Sequence, residues 1–234
     1  MTSGIISNLF SLVTNLSQLR IKEVEVMQTA IETTNNDAVA EAAEQEAIEH
    51  SAHEDYRLLG LTIFLASESL MFLALFASYL IYRGAHPVWP PEGTEVELVF
   101  PAINTVILVS SSFVIHQGDV ALKKNDVKGF RLWYAITILM GAIFLGGQAY
   151  EYMTLGYGLS TNIFSSCFYF MTGFHGLHVF VGLLLMLGVL WRSRRMGHYN
   201  ATKHTGPEMA EIYWHFVDVI WVVLFTLLYI LTHL

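Results

Sequence analysis

The stretch Leu58–Tyr82 reads LLGLTIFLASESLMFLALFASYLIY, an apolar run whose one charged residue is Glu68. It is long enough to cross the ~30 Å hydrocarbon core of a bilayer as a helix. At about 1.5 Å per residue, Glu68 lies ~15 Å from the start of the run, near the bilayer centre. An ionised carboxylate at that depth costs on the order of 3 kcal/mol. A group kept there at such a cost holds a proton, an ion, a lipid headgroup or a partner helix. The plainer alternative is a protonated acid hydrogen-bonded to the next helix.

Four runs of similar character follow: Leu98–His116, Leu132–Tyr152, Phe164–Trp191 and Ile212–Thr232. The expected fold class is therefore an all-α membrane protein, a five-transmembrane-helix bundle over residues 58–234. Composition agrees. Of 234 residues, 54% are hydrophobic and 14% charged, and the mean hydropathy is +0.48, which is too apolar for a soluble domain. Residues 1–57 read as an N-terminal extension. Ile5, Leu9, Leu12, Leu16 and Leu19 recur in steps of four and three, which predicts an amphipathic helix lying on a membrane surface or against a partner helix. Asp37, Glu41, Glu44, Glu46, Glu49, Glu54 and Asp55 then form an acidic, solvated segment, the main source of the net charge of −8. No nucleic-acid partner is expected from such a chain. Residues 1–20 lack the basic start and cleavable apolar core of a signal peptide.

The single cysteine, Cys167, excludes a disulfide framework. It also excludes a cysteine-bridged dinuclear copper site and a Cys-x-x-Cys-His haem attachment within this chain. Charge fixes an expected orientation. With five spans, the N-terminus and the second and fourth connections share one side, which carries eleven of the twelve Lys and Arg residues; Arg83 alone lies opposite. The positive-inside rule puts the N-terminus inside and the C-terminus outside. Trp89, Trp133, Trp191 and Trp214 flank the predicted span ends, as an interfacial belt requires.

The polar groups inside the spans are Glu68, Asn104, Thr105, Gln148, Glu151, His175, His178, His215 and Asp218. His215 and Asp218 stand at i and i+3, so the carboxylate is placed to orient that imidazole. His175 and His178 share the same spacing, one seen among metal ligands on bundle helices. Depth argues against a metal. Counted at 1.5 Å per residue from the inner ends, His215 lies roughly 5 Å in, Asp218 about 9 Å, Glu68 about 15 Å, His178 about 20 Å and His175 about 24 Å. Ligands converge within about 2–2.5 Å of one ion, and only Glu68, His175 and His178 can share a level. No metal site is expected. Helix-to-helix hydrogen bonding, at roughly 0.6 kcal/mol each, is the plainer reading of all these groups.

Several longer motifs carry a resemblance: Ala66-Ser67-Glu68, Trp89-Pro90-Pro91-x-Gly93, Pro101-x-x-Asn104-Thr105, Gln148-Ala149-x-Glu151-Tyr152, Gly173-Phe174-His175-Gly176-Leu177-His178, and Tyr213-Trp214-His215-Phe216-Val217-Asp218-Val219-x-Trp221. In this order, from Glu54 to the C-terminus, the chain resembles subunit III of the haem–copper terminal oxidases in its five-helix bacterial form. The resemblance implies a non-redox accessory subunit of a proton-pumping oxygen reductase in the bacterial cytoplasmic membrane or another energy-coupling membrane. Subunits I and II would be its partners and would hold the haem and copper. It would bind phospholipid in a cleft, support proton uptake and stabilise the complex during turnover. By the same resemblance, Glu68, His175, His178, His215 and Asp218 are proton- or lipid-related. Arg192, Arg194, His198 and His204 lie near lipid headgroups, while Asn104 and Glu151 are structural. Docking on subunit I is expected through the first helices, between Leu58 and Val114.

Ser67-Glu68 and Tyr213-Trp214 are similar to the cytochrome c oxidase branch, whereas quinol oxidases tend to Ser-Asp and to Phe at the latter site. A rival class is a small proton-coupled transporter built on Glu68 and Asp218. It would need paired broken helices, and the sequence shows neither that symmetry nor helix-breaking prolines within the spans.

Overall fold

A computed structural model describes residues 56–194, 199–200 and 204–233, together with Lys22, Met27, Gln28, Glu41 and Gln45 of the extension. The expected amphipathic helix and, apart from Glu41, the acidic segment therefore lie outside the described residues, as does His198. The described spans belong to one compact unit, Leu58–Leu234.

Among the described residues, five helices are long and apolar enough to cross a membrane: α1 (Tyr56–Ala85), α2 (Val99–Lys123), α3 (Val127–Thr154), α4 (Ile163–Arg192) and α5, which runs Thr205–Phe225 and continues through a π turn, Thr226–Ile230. Each is longer than its hydropathy run or displaced from it. Hydropathy marks the segment that matches the hydrocarbon, whereas helices continue into the interface with polar residues. The largest correction is at α5, which starts at Thr205 rather than Ile212. Glu208 and Glu211 hid its first two turns from a hydropathy reading. Pro207 fits there because the first-turn N–H groups have no intrahelical partner.

Local chemistry sets the other ends. After α2, Asn125 adopts φ 60°. Its N–H bonds the Leu122 carbonyl (2.8 Å) and the Asp126 N–H bonds that of Ala121 (2.9 Å), a Schellman stop. The Asp126 side chain then caps α3 through the Gly129 N–H at 2.9 Å. Two short backbone steps thus turn the chain through 180° and hold α2 against α3. Asn162 and Ser165 cap each other reciprocally at the start of α4 (2.9 and 3.0 Å).

The bundle is centred on α5, half of whose apolar window is buried. Trp214 and Trp221 are almost wholly buried and donate their indole N–H groups to Ser111 and Thr105 of α2, each at 2.9 Å. The Trp214 ring fits because Gly141 of α3 and Gly182 of α4 carry no side chain there. A Cβ on either would come within 2.6 and 2.9 Å of the ring. Trp214 is therefore a core residue and not part of an interfacial belt: the earlier start of α5 puts it in the third turn. Trp191 does remain exposed at the end of α4.

α1 is buried along its second half only. Phe72, Phe76 and Tyr79 are buried, and the Tyr79 hydroxyl donates to the Leu227 carbonyl at 3.0 Å. No residue between 56 and 71 is buried. That first half of α1 borders a cleft.

Candidate functional site

The cleft is lined by Leu61 and Phe64 of α1, Leu185 and Val189 of α4, and Met209 and Tyr213 of α5, with a volume of about 450 Å³. A second hollow of about 510 Å³ shares Leu185, Val189 and Gly206 with it and continues to Trp191 and Arg192 at the basic end of the bundle. Glu68 and His178 do not line the cleft, but its residue Tyr213 reaches the His178 backbone. His178 Nε2 lies 3.0 Å from Glu68 Oε2, and His178 Nδ1 lies 2.8 Å from the Phe174 carbonyl oxygen. Phe72 and Phe174 meet the imidazole edge-on at 5.1 and 4.7 Å.

This geometry fixes the proton count. A carbonyl oxygen can only accept, so Nδ1 carries a hydrogen. A bond between Nε2 and the carboxyl then needs one more proton, held either by Glu68 or by the ring. In both cases the pair is neutral overall, which suits a site with apolar walls. The Tyr213 hydroxyl donates to the His178 carbonyl at 3.1 Å and ties α5 to the same point of α4.

The remaining sequence-derived candidates lie elsewhere. His175 is fully buried, stacked on Trp221 (4.8 Å) with Phe144 edge-on (6.0 Å). Neither of its ring nitrogens has a hydrogen-bond partner among the described residues. It shares a helix face with His178 but does not join the Glu68 pair. Asn104 donates to the Phe144 carbonyl at 3.4 Å and occupies the space a Cβ on Gly147 would need. Glu151 accepts from the Tyr229 hydroxyl with both oxygens, at 3.0 and 3.2 Å, and this bond fastens α3 to the π turn. Nearby Tyr157 is buried in the α3–α4 connection, and that burial pushes its hydroxyl above the ordinary tyrosine range. Arg192 and Arg194 are exposed. His204 is half-buried, 3.9 Å from Glu208.

His215 and Asp218 do not touch as their spacing suggested, because Ser112 of α2 stands between them. Its hydroxyl donates to Asp218 Oδ2, and His215 Nδ1 lies 3.0 Å from its oxygen. The other nitrogen of His215 faces Glu211 Oε1 at 3.4 Å, and His116 Nδ1 reaches that same oxygen at 3.0 Å. The result is a continuous row, His116–Glu211–His215–Ser112–Asp218. Glu211, His116 and Ser112 escaped the sequence reading. The spacing Glu211, His215, Asp218, at i, i+4 and i+7 on one helical face, was a signal for Glu211; His116 and Ser112 come from α2 and had none. Among the described residues no three His, Cys, Asp or Glu side chains converge as a metal would require.

Known proteins bear on these motifs. The sequence profile described as "Cytochrome c oxidase subunit III" matches residues 1–233. A cytochrome c oxidase subunit 3 from Thermostichus vulcanus is 73% identical over 187 residues, covering 80% of this chain and 93% of that protein. The Synechocystis sp. protein of the same name is 59% identical over 187 residues, 80% of each chain. A probable cytochrome c oxidase subunit 3 from Nocardia farcinica is 43% identical over 175 residues, 73% of this chain and 86% of the other. With the fold and the motifs in agreement with them, this chain is an integral, multi-pass membrane protein that belongs to the cytochrome c oxidase subunit III family.

Proposed function

We propose that this chain is the non-redox accessory subunit of a proton-pumping cytochrome c oxidase, and that its cleft holds a phospholipid beside the catalytic subunit. The names of its relatives support the oxidase reading, and they favour cytochrome c over quinol as donor. Haem and copper belong to the partner subunits I and II. The one observation that carries the lipid reading is the cleft itself. From His178 to Arg192 the α4 helix climbs fourteen residues, about 21 Å at ~1.5 Å each. That is the depth of one leaflet with its headgroup region, half of about 40–45 Å. Arg192, which lines the second hollow, and the exposed Arg194 supply cationic N–H donors where a phosphate would sit, and the resemblance adds His204 and, outside the described residues, His198. The neutral Glu68–His178 pair places no net charge at the depth of the acyl ends.

On this reading Glu68 and His178 position lipid and helix, and His175, His215 and Asp218 are the remaining membrane groups assigned to proton-uptake support. The basic end faces inside, with the N-terminus and residues 1–57 on that side and the C-terminus outside.

The test starts from the tagged chain purified from its own membranes. It should bring haem absorbance with it; a haem-free preparation sinks the oxidase reading. Leu185→Trp should fill the cleft and lower the phospholipid retained per complex, and unchanged phospholipid sinks the lipid reading. Glu68→Gln should leave initial oxygen uptake largely intact, while Glu68→Ala shortens the active lifetime during turnover. If Glu68→Gln abolishes the initial rate with a normal haem spectrum, Glu68 is an obligatory proton carrier instead.

A further inference from the structure

The end of α3, the start of α4 and the π turn hold a group of tyrosines around one carboxyl. Tyr229 is wholly buried, and its hydroxyl donates to both oxygens of Glu151, itself 8% exposed. Other rings continue from Tyr229 in two directions. Trp221 lies 6.4 Å away on one side and Phe168 5.8 Å on the other. Phe168 in turn meets Tyr152 at 6.5 Å and Tyr169 at 5.7 Å, and those two rings are 4.8 Å apart. Tyr152 and Tyr169 are half-buried, whereas Tyr229 and Trp221 belong to the core.

Hydrogen-bond partners separate these rings chemically. The Tyr152 hydroxyl meets that of Thr172, Tyr169 donates to the Tyr157 carbonyl, and the Trp221 indole donates to Thr105. None of these partners is a base able to take a phenol proton. Tyr229 alone faces a carboxyl group, which has lone pairs to spare. Packing by itself needs no acid there: Tyr134, equally buried, is satisfied by the neutral carbonyl of Pro207. A phenol that gives up an electron becomes a strong acid, so it keeps the vacancy only where its proton can leave at once. In this group of rings that place is Tyr229.

We propose that Tyr229 is a radical sink, in which a one-electron oxidation of this part of the subunit comes to rest as a neutral phenoxyl with its proton on Glu151. The oxidant class is the peroxyl radical of an oxidised lipid. It takes an electron from Tyr152 or Tyr169 and a proton from water, and leaves as a hydroperoxide. Tyr229 refills the half-buried ring across Phe168. As that electron departs, the Tyr229 O–H bond breaks and the proton moves to a Glu151 oxygen. Peroxyl radical, proton, phenol and carboxylate thus become hydroperoxide, phenoxyl and carboxylic acid, and the core is left with two neutral groups, as an apolar interior favours. Burial shields the phenoxyl from further radicals. Nothing in this role depends on the cleft or on the electron donor of the oxidase.

The experiment uses the assembled complex with its oxygen chemistry blocked by cyanide. Peroxyl radicals from an azo initiator are applied, and the sample is frozen for electron paramagnetic resonance, with ring-deuterated tyrosine identifying phenoxyl signals. The wild-type complex should give a tyrosyl signal that is lost in Tyr229→Phe and in Glu151→Gln at unchanged haem content. Tyr229→Phe keeps the ring without the O–H. Glu151→Gln keeps an acceptor oxygen without the base, so a merely structural contact would leave the signal in place. A signal that is absent from the wild type, or that persists in both variants, overturns the proposal. Mass spectrometry of the wild-type chain decides without either variant. Oxidation centred on Tyr229 supports the sink, and oxidation confined to the exposed Tyr56 and Tyr150 overturns it.

Discussion

The Glu68–His178 pair and the row from His116 to Asp218 set carboxyls against imidazoles at membrane depth, yet they end differently. The pair closes on itself: each nitrogen of His178 has one partner, and a single proton satisfies the contact. The row runs through five side chains on two helices and finishes with an unpaired carboxylate oxygen. A closed pair can stand near a lipid-filled cleft, whereas an open row leaves one buried acceptor unmet. The supporting helices differ in the same sense. Only 6% of the apolar window of α1 is buried, against 50% for α5, so the acid of the pair sits midway along a loosely held helix and the acids of the row on the best-held one.

The sharpest way to break this contrast is to remove what both sites share. Trp214→Ala empties a fully buried indole site and should cost about 3–5 kcal/mol, read by detergent or denaturant unfolding. Because α5 carries both Tyr213 and Asp218, cleft and row should fail together; failure of one alone would show that the two sites are not coupled through α5.

Next in size are the acids themselves. Glu68→Leu leaves His178 Nε2 unpaired and should cost about 1–3 kcal/mol, equally in the isolated chain and in the complex. Ser112→Ala strips partners from both His215 and Asp218 and should cost a similar amount. A loss at one site without the other would show that only one of them holds its helices together.

The smallest effect belongs to the solvated end of α5. Glu208→Gln removes a contact of 3.9 Å to His204 between partly exposed side chains and should change stability by less than about 0.5 kcal/mol. A larger loss there would mean that the basic end is packed against something in the complex.

The helix count was legible because each span is an apolar run of sufficient length, and that signal does not depend on packing. Helix ends were less legible, since charged residues belong to these helices as well. Glu208 and Glu211 disguised the start of α5, and with it the burial of Trp214. Glu68 and His178 were counted about 5 Å apart in depth yet meet at 3.0 Å, a difference that side-chain reach covers and a count of residue heights does not see. The row was half-read: His215 and Asp218 were visible by spacing, but Ser112 and His116 come from α2, and only tertiary structure brings them in. The aromatic box around His178 had no sequence signal separate from ordinary span composition.

The fit of one indole between two glycines also has an evolutionary consequence. A Cβ at Gly141 would stand 2.6 Å from the Trp214 ring, and one at Gly182 2.9 Å. These three positions, on three different helices, therefore form a single heritable unit. A lineage that keeps the indole is bound to keep both gaps. One that exchanges it for a smaller side chain frees 141 and 182 to acquire side chains, and the substitutions should be found together across relatives or not at all.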